Sequence, residues 1–94
     1  MKTVKAIHVS NIDNTVTITE SADAGDTIVF LEDDTEKTII ARGSTPIWHK
    51  IATKPVEKGG SIFKYGSVIG LALENIKEGD HVHTHNTASP GIGG

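Results

Sequence analysis

Three histidines at every second position, in His81-Val82-His83-Thr84-His85-Asn86, are the residues of this chain whose types and spacing could do chemistry. In a β-strand, residues i, i+2 and i+4 share one face, about 7 Å apart per step, so a strand here aims all three imidazoles the same way. A helix would scatter them. Imidazole ligates divalent metals and moves protons near neutral pH, so His83 and His85 form a candidate H-x-H metal pair. Asn86 beside them could orient a ring or a substrate hydroxyl. One strand supplies too few ligands to close a metal site, and spacing leaves three readings open: a solvated histidine strand, a metal site, or acid–base work. His81, at the turn that opens the strand, is the weakest of the three candidates.

A second polar pair, His49-Lys50, follows Pro46-Ile47-Trp48; a surface turn with Trp48 covering the core edge accounts for it without chemistry. Tyr65 in Lys64-Tyr65-Gly66 reads as a packing residue whose hydroxyl reaches water, Lys64 as a solvated strand charge, and His8 as a structural histidine. No phosphate loop, G-x-G-x-x-G, H-E-x-x-H, cysteine or G-x-S-x-G nucleophile is present.

The elements that must position these groups are strands. Val4-Lys5-Ala6-Ile7-His8-Val9 and Thr15-Val16-Thr17-Ile18-Thr19 alternate apolar and polar residues with period two. Thr27–Leu31 and Thr38–Ala41 flank the acidic stretch Glu32–Glu36, which reads as the solvated tip of a hairpin rather than a cation site. No dozen residues show a 3.6-residue period, although Ile47–Ala52 could form a helical turn after Pro46. One pattern recurs three times, at Ala22–Ile28, Val56–Ile62 and Ile76–Val82: an apolar residue, two mostly charged residues, glycine, a turn residue and a strand start. Glycine supplies the positive φ of a tight turn and the apolar residues anchor it, so these repeats are structural punctuation. Mainly β structure with short strands and glycine bends suits a clip or barrel-like module. Thr87–Gly94 has the composition of a tail or linker.

With 94 residues, 36% of them hydrophobic, and only one Trp, one Tyr and two Phe, the chain has material for one domain with a small core. A large catalytic cleft is usually built between domains or subunits, so an enzyme role implies a second chain or domain. The net charge of −3, with both signs interspersed, argues against nucleic acid or an anionic membrane surface as partner. Without cysteine, disulfides and thiolate zinc sites are excluded. Neither a signal peptide nor a membrane span is legible, which makes the cytoplasm the expected location.

His49-Lys50-Ile51-Ala52, then Lys64-Tyr65-Gly66-x-x-Ile69-Gly70-x-Ala72, then Ile76-Lys77-Glu78-Gly79-Asp80-x-Val82-His83-Thr84-His85-Asn86 resemble the SAF-type small domain of the altronate and galactarate dehydratase family, which includes the small subunit of sulfolactate sulfo-lyase. The match is strongest from His49 to Asn86 and extends less specifically over the first 48 residues. The resemblance implies an all-β, SAF-like β-clip over residues 1–87 with a tail or linker over 88–94, and a much larger catalytic domain or subunit as partner; a homo-oligomer also stays open. It implies loss of water from a sugar acid to give a 2-keto-3-deoxy acid, with a divalent metal such as iron(II). On the matching positions it makes His83 and His85 metal ligands or acid–base groups, His49 and Lys50 catalytic candidates contacting the acidic substrate, and Lys64, Tyr65 and Asn86 substrate-binding. Trp48 departs from the glycine that relatives carry before His-Lys, and Thr87 from an apolar residue after the Asn, which bears on substrate and docking. A non-catalytic carbohydrate- or metal-binding module of the same fold is the alternative. A lipoyl- or biotinyl-type carrier is disfavoured because no lysine lies in a carrier context.

Overall fold

The computed structural model describes residues 1–89. Nine strands order them: β1 (Thr3–Ile7), β2 (Thr15–Ile18), β3 (Thr27–Glu32), β4 (Thr35–Ile40), β5 (Lys50–Ala52), β6 (Ser61–Lys64), β7 (Ser67–Ala72), β8 (His81–Val82) and β9 (Thr87–Ala88). Among the described residues there is no helix, so none could cross a membrane. One sheet runs β4-β3-β1-β2-β5-β8 and the other β6-β7-β9. Only β1 and β3 pair in parallel. The alternation read in β1 matches its burial, with Val4 inside, whereas β2 is buried on both faces, Thr15 and Thr17 as well as Val16 and Ile18. Val4, Val16 and Ile18 join Ile28, Phe30 and Ile51 in one core cluster. Ala52, Val56, Ile62, Ala72, Ile76 and Val82 form a second beneath β6 and β7. The acidic hairpin is present, turning at Asp33 and Asp34 with φ of 52° and 61°.

The recurrent turn is the organising unit, and the structure contains it four times. The fourth copy, Thr45–Lys50, is hidden in the sequence because Trp48 stands where the other copies have Gly25, Gly59 and Gly79, all with positive φ. Each of these residues donates its N–H to a distant strand: Gly25 to Ala41, Trp48 to Ile18, Gly59 to Ala72 and Gly79 to Ala52, at 2.8–3.0 Å. The next residue's carbonyl accepts the return bond in each case, Asp26 from Ala41, His49 from Ile18, Gly60 from Ala72 and Asp80 from Ala52. The turns pair two by two, through bridges Ala22↔Thr45 and Val56↔Ile76. No helical turn forms over Ile47–Ala52, because this bonding commits Trp48 to the left-handed region and sends Lys50 straight into β5.

Two further expectations change. The histidine strand stops at Val82: the buried Asn86 side chain accepts the His83 N–H (3.0 Å) and donates to the His81 carbonyl (2.8 Å), folding 83–86 into a turn. Within the stretch expected to be a tail, Ala88 pairs with Leu71 in β9; residues 90–94 of it lie outside the described residues. Gly70 makes room for β9, because a Cβ there would collide with the Thr87 side chain and lie 2.8 Å from the Ala88 carbonyl oxygen.

Hairpin β6–β7 is fastened to the larger sheet by consecutive polar side chains. Asn14 acts as a strand edge, donating to the Ser61 carbonyl (2.9 Å) and accepting from the Phe63 N–H (2.8 Å), while Thr15 Oγ1 donates to the Phe63 carbonyl (2.9 Å). Asp13 accepts the N–H groups of Tyr65 and Gly66 at the hairpin tip, both at 2.8 Å.

Candidate functional site

Strands β5 and β8 pair antiparallel, Lys50 opposite Val82 and Ile51 opposite His81, and one step further along this register His49 stands opposite His83. Cross-strand neighbours on one face lie within side-chain contact, so the turn that ends in His49 delivers its ring to the histidines of β8. His49 Nδ1 and His81 Nε2 share a 2.9 Å hydrogen bond, and the rings of His49 and His83 stack with centroids 4.3 Å apart. One ring nitrogen from each of His49, His81 and His83 lies within 4.8 Å of the others. His81, discounted in sequence as a turn residue, belongs to β8 and sits at the centre of the cluster. His85, expected in the metal pair, packs its ring on His81 at 5.1 Å but lies outside this trio.

The fourth turn is built to release His49. In the copies at Ala22 and Ile76, the equivalent residues Asp26 and Asp80 use their carboxylates to cap the N–H groups of Asp23 and Lys77, at 2.8 Å each. The corresponding residue of the fourth copy is Pro46, which has no N–H to cap. Position 49 is thereby freed from a structural duty.

Beside the trio is an open cleft of about 180 Å³, lined by Lys50, Ile69, His83, Thr84 and the β9 residues with Ser89. Burial pushes the Lys50 ammonium below the usual lysine value, and the positive charge of Lys64 adds to this. Burial, then the neighbouring His85, His49, His83 and Lys50, pushes His81 down from 6.5 to about 4. His83 is lowered by burial and then by His49, Lys50 and His85. Among the described residues no ion pair supplies a carboxylate to this group. The cluster is thus a set of imidazoles, with His81 and His83 biased toward the neutral form, next to an ammonium for which no described residue supplies a counter-ion, an arrangement that favours a cation at the rings and an anion at the lysine.

The other expected site residues are placed unevenly. Lys64 lies over the Tyr65 ring, 4.8 Å from its centroid, and neither lines the cleft; Tyr65 is 54% exposed. Asn86 is buried with its amide committed to backbone, so its contact with the site runs through the His83 turn. Trp48 does not cover the core edge, being 60% exposed. His8 is structural as expected, with its side chain 2% exposed and its Nε2 3.0 Å from the Asp13 carbonyl. Sequence reasoning missed Asp13; its signal was the run of short polar residues Asp13-Asn14-Thr15 at the start of a strand, where one would look for backbone acceptors.

Residues 4–90 match the family model described as the altronate/galactarate dehydratase SAF domain. The chain is 36% identical over 58 residues to the (2R)-sulfolactate sulfo-lyase subunit alpha of Paracoccus pantotrophus, covering 62% of this chain and 87% of that subunit. It is 30% identical over 73 residues to the subunit of the same name from Chromohalobacter salexigens, covering 76% of this chain and 78% of that one. Against the altronate dehydratase of Escherichia coli (strain K12) it is 37% identical over 82 residues, 86% of this chain but 16% of that enzyme's length. These relatives are lyases. The short-stranded all-β architecture, the ordered motifs from His49 to Asn86 and the near-complete match agree, and the chain belongs to the altronate/galactarate dehydratase SAF domain family.

Proposed function

We propose that this chain is the small domain or subunit of a sugar-acid dehydratase, contributing one wall of a site that a larger catalytic chain completes, and that it is inactive alone. The observation that carries this is the His49–His81–His83 trio beside Lys50 and a cleft that is open among the described residues. The reaction removes a proton next to a carboxylate and expels the β-hydroxyl as water, leaving a 2-keto-3-deoxy acid. The substrate carboxylate pairs with Lys50, which restores the charge that burial disfavours. His83, exposed at the mouth of the cleft and neutral near pH 7, is placed to take or return a proton at a ring nitrogen. The 2.9 Å bond between His49 Nδ1 and His81 Nε2 couples the two rings through one shared proton, and a metal taking a lone pair from each ring would replace it.

The trio also suits a divalent metal such as iron(II): it offers one imidazole nitrogen from each of three residues within 4.8 Å of one another, and His81 and His83 are biased toward the neutral, ligating form. When bound, such a metal stabilises the developing enediolate charge as a Lewis acid. His49, His81 and His83 would hold it. The test has two arms. Chelator-stripped chain titrated with zinc or iron(II) should gain about 2.7 kcal/mol of stability at a hundredfold excess over Kd, and His81→Ala should lose this gain. In the enzyme reconstituted with its large chain, altronate should be dehydrated only when both chains are present, and His49→Ala or His83→Ala should lower kcat at least about 100-fold. Full activity of the small chain alone, or an undiminished rate in these variants, would refute the reading. Coverage of 87% of the Paracoccus subunit favours, as a second reading, a sulfo-lyase small subunit. Turnover of (2R)-sulfolactate rather than altronate would select it.

A further inference from the structure

The turn carrying His49 departs from its sister turns in a way the fold does not require. At the position of positive φ the others use Gly25 (93°), Gly59 (86°) and Gly79 (91°), whereas this turn uses Trp48 (68°). A bulky side chain in the left-handed region is strained, and a residue held there is best explained by what its side chain does. Trp48 gives little packing in return within the chain: it is 60% exposed, and Ile47 before it 46%. Ser44–Trp48 is uncharged in a chain where 22% of residues are charged. The single tryptophan is therefore held out in solvent beside an isoleucine, immediately before the site.

We infer that Ile47 and Trp48 are the anchor by which this domain docks into an apolar socket on the large catalytic chain. The inference rests on the proposed function, which requires a second wall over His49 and Lys50. A wall that reaches these residues passes over the turn leading into them, so the anchor and the incomplete site are continuous. Tryptophan is the side chain most often found at the energetic centre of an interface, and a neutral turn brings no charge to desolvate. Substrate is the poorer occupant, because the cleft beside Lys50 and His83 is not lined by Trp48.

Trp48→Gly installs the residue of the other three turns and separates fold from docking. Expressed alone, this variant should melt no lower than the wild type, since relief of strain offsets the added freedom of glycine in the unfolded chain. Titrated calorimetrically into the large dehydratase chain of the same genome, it should bind about 30-fold more weakly or worse. Trp48→Ala should lose the same affinity while keeping a Cβ in the strained position, which ties the loss to the indole. At saturating small chain, KM for the sugar acid should be unchanged. Wild-type affinity in Trp48→Gly overturns the docking role alone, as does normal assembly with a raised KM, which assigns the indole to substrate. Wild-type chain that assembles with no large dehydratase chain overturns the proposed function, and the anchor with it.

Discussion

Asp13→Asn asks whether one buried carboxylate seats the hairpin that flanks the histidine site. Asp13 is 1% exposed; its Oδ1 accepts the Gly66 N–H at 2.8 Å, and its Oδ2 accepts Tyr65 at 2.8 Å and Ser10 at 3.2 Å. An amide is nearly isosteric but keeps one acceptor oxygen. With that oxygen toward Gly66, the NH2 group faces the donors of Tyr65 and Ser10 and strands both; flipped, it strands Gly66 alone. At roughly 1–3 kcal/mol per buried unsatisfied group, the cheaper flip costs about 2 kcal/mol. A domain of this size has only about 5–14 kcal/mol of stability, so Tm should fall by roughly 10–15 °C. Burial acts to raise this carboxyl's pKa, and the N–H groups of Gly66, Ser10 and Tyr65, with the nearby His8, hold it below the usual value instead. The wild-type advantage is therefore full above the unfolded carboxylate's value of about 3.9 and fades as pH falls through the lower native one. Calorimetric melts at pH 7 and pH 3, with amide exchange at Tyr65 and Gly66, measure this. A variant within about 3 °C of wild type at pH 7, with both amides still protected, would refute the reasoning.

The metal-free domain should lose stability between pH 6.5 and about 4, because over that window the unfolded chain binds a proton at His81 that the folded chain refuses. The displacement corresponds to about 3 kcal/mol at 1.36 kcal/mol per pH unit, and solvent screening around the partly exposed ring reduces it to about 1–2 kcal/mol. His81→Gln should flatten the decline in Tm from pH 7 to 4.5, and parallel profiles for the two proteins would count against it. Asn86→Ala should cost about 2–3 kcal/mol by stranding the His83 N–H and the His81 carbonyl. It should also weaken zinc binding to the trio about tenfold without removing a ligand; unchanged affinity by calorimetry would show that the turn does not position His83. Gly70→Val should displace β9 and widen the cleft beside Lys50, read as lost exchange protection at Leu71 and Ala88, and retained protection would contradict that wall.

Much of the fold was legible because its signals are local. Alternation in Val4–Ile7 reports which face of that strand is buried, although in Thr15–Ile18 both faces are covered and the threonines are buried too, and glycine at 25, 59 and 79 reports positive φ wherever the chain must turn. The fourth turn was not legible, since its geometry is imposed by hydrogen bonds to Ile18 that hold Trp48 where glycine is the usual choice. The helical turn read at Ile47–Ala52 and the long histidine strand failed for the same kind of reason: distant backbone partners and the Asn86 amide outweighed local propensity.

By itself, the sequence determined that the chain is a small all-β domain without cysteine, that its candidate chemistry is imidazole and ammonium, and that it is built in the pattern of the dehydratase SAF domains. Those properties reside in residue types and short-range spacing. Which histidines come together was decided only by tertiary structure. His49 and His81 are 32 positions apart, and only the β5–β8 register brings their nitrogens to 2.9 Å, while a turn closed by Asn86 brings in His83 and leaves His85 aside. Contact between groups so far apart in sequence depends on strand register, which is set by the packing of both faces and leaves no mark in the spacing of either segment alone.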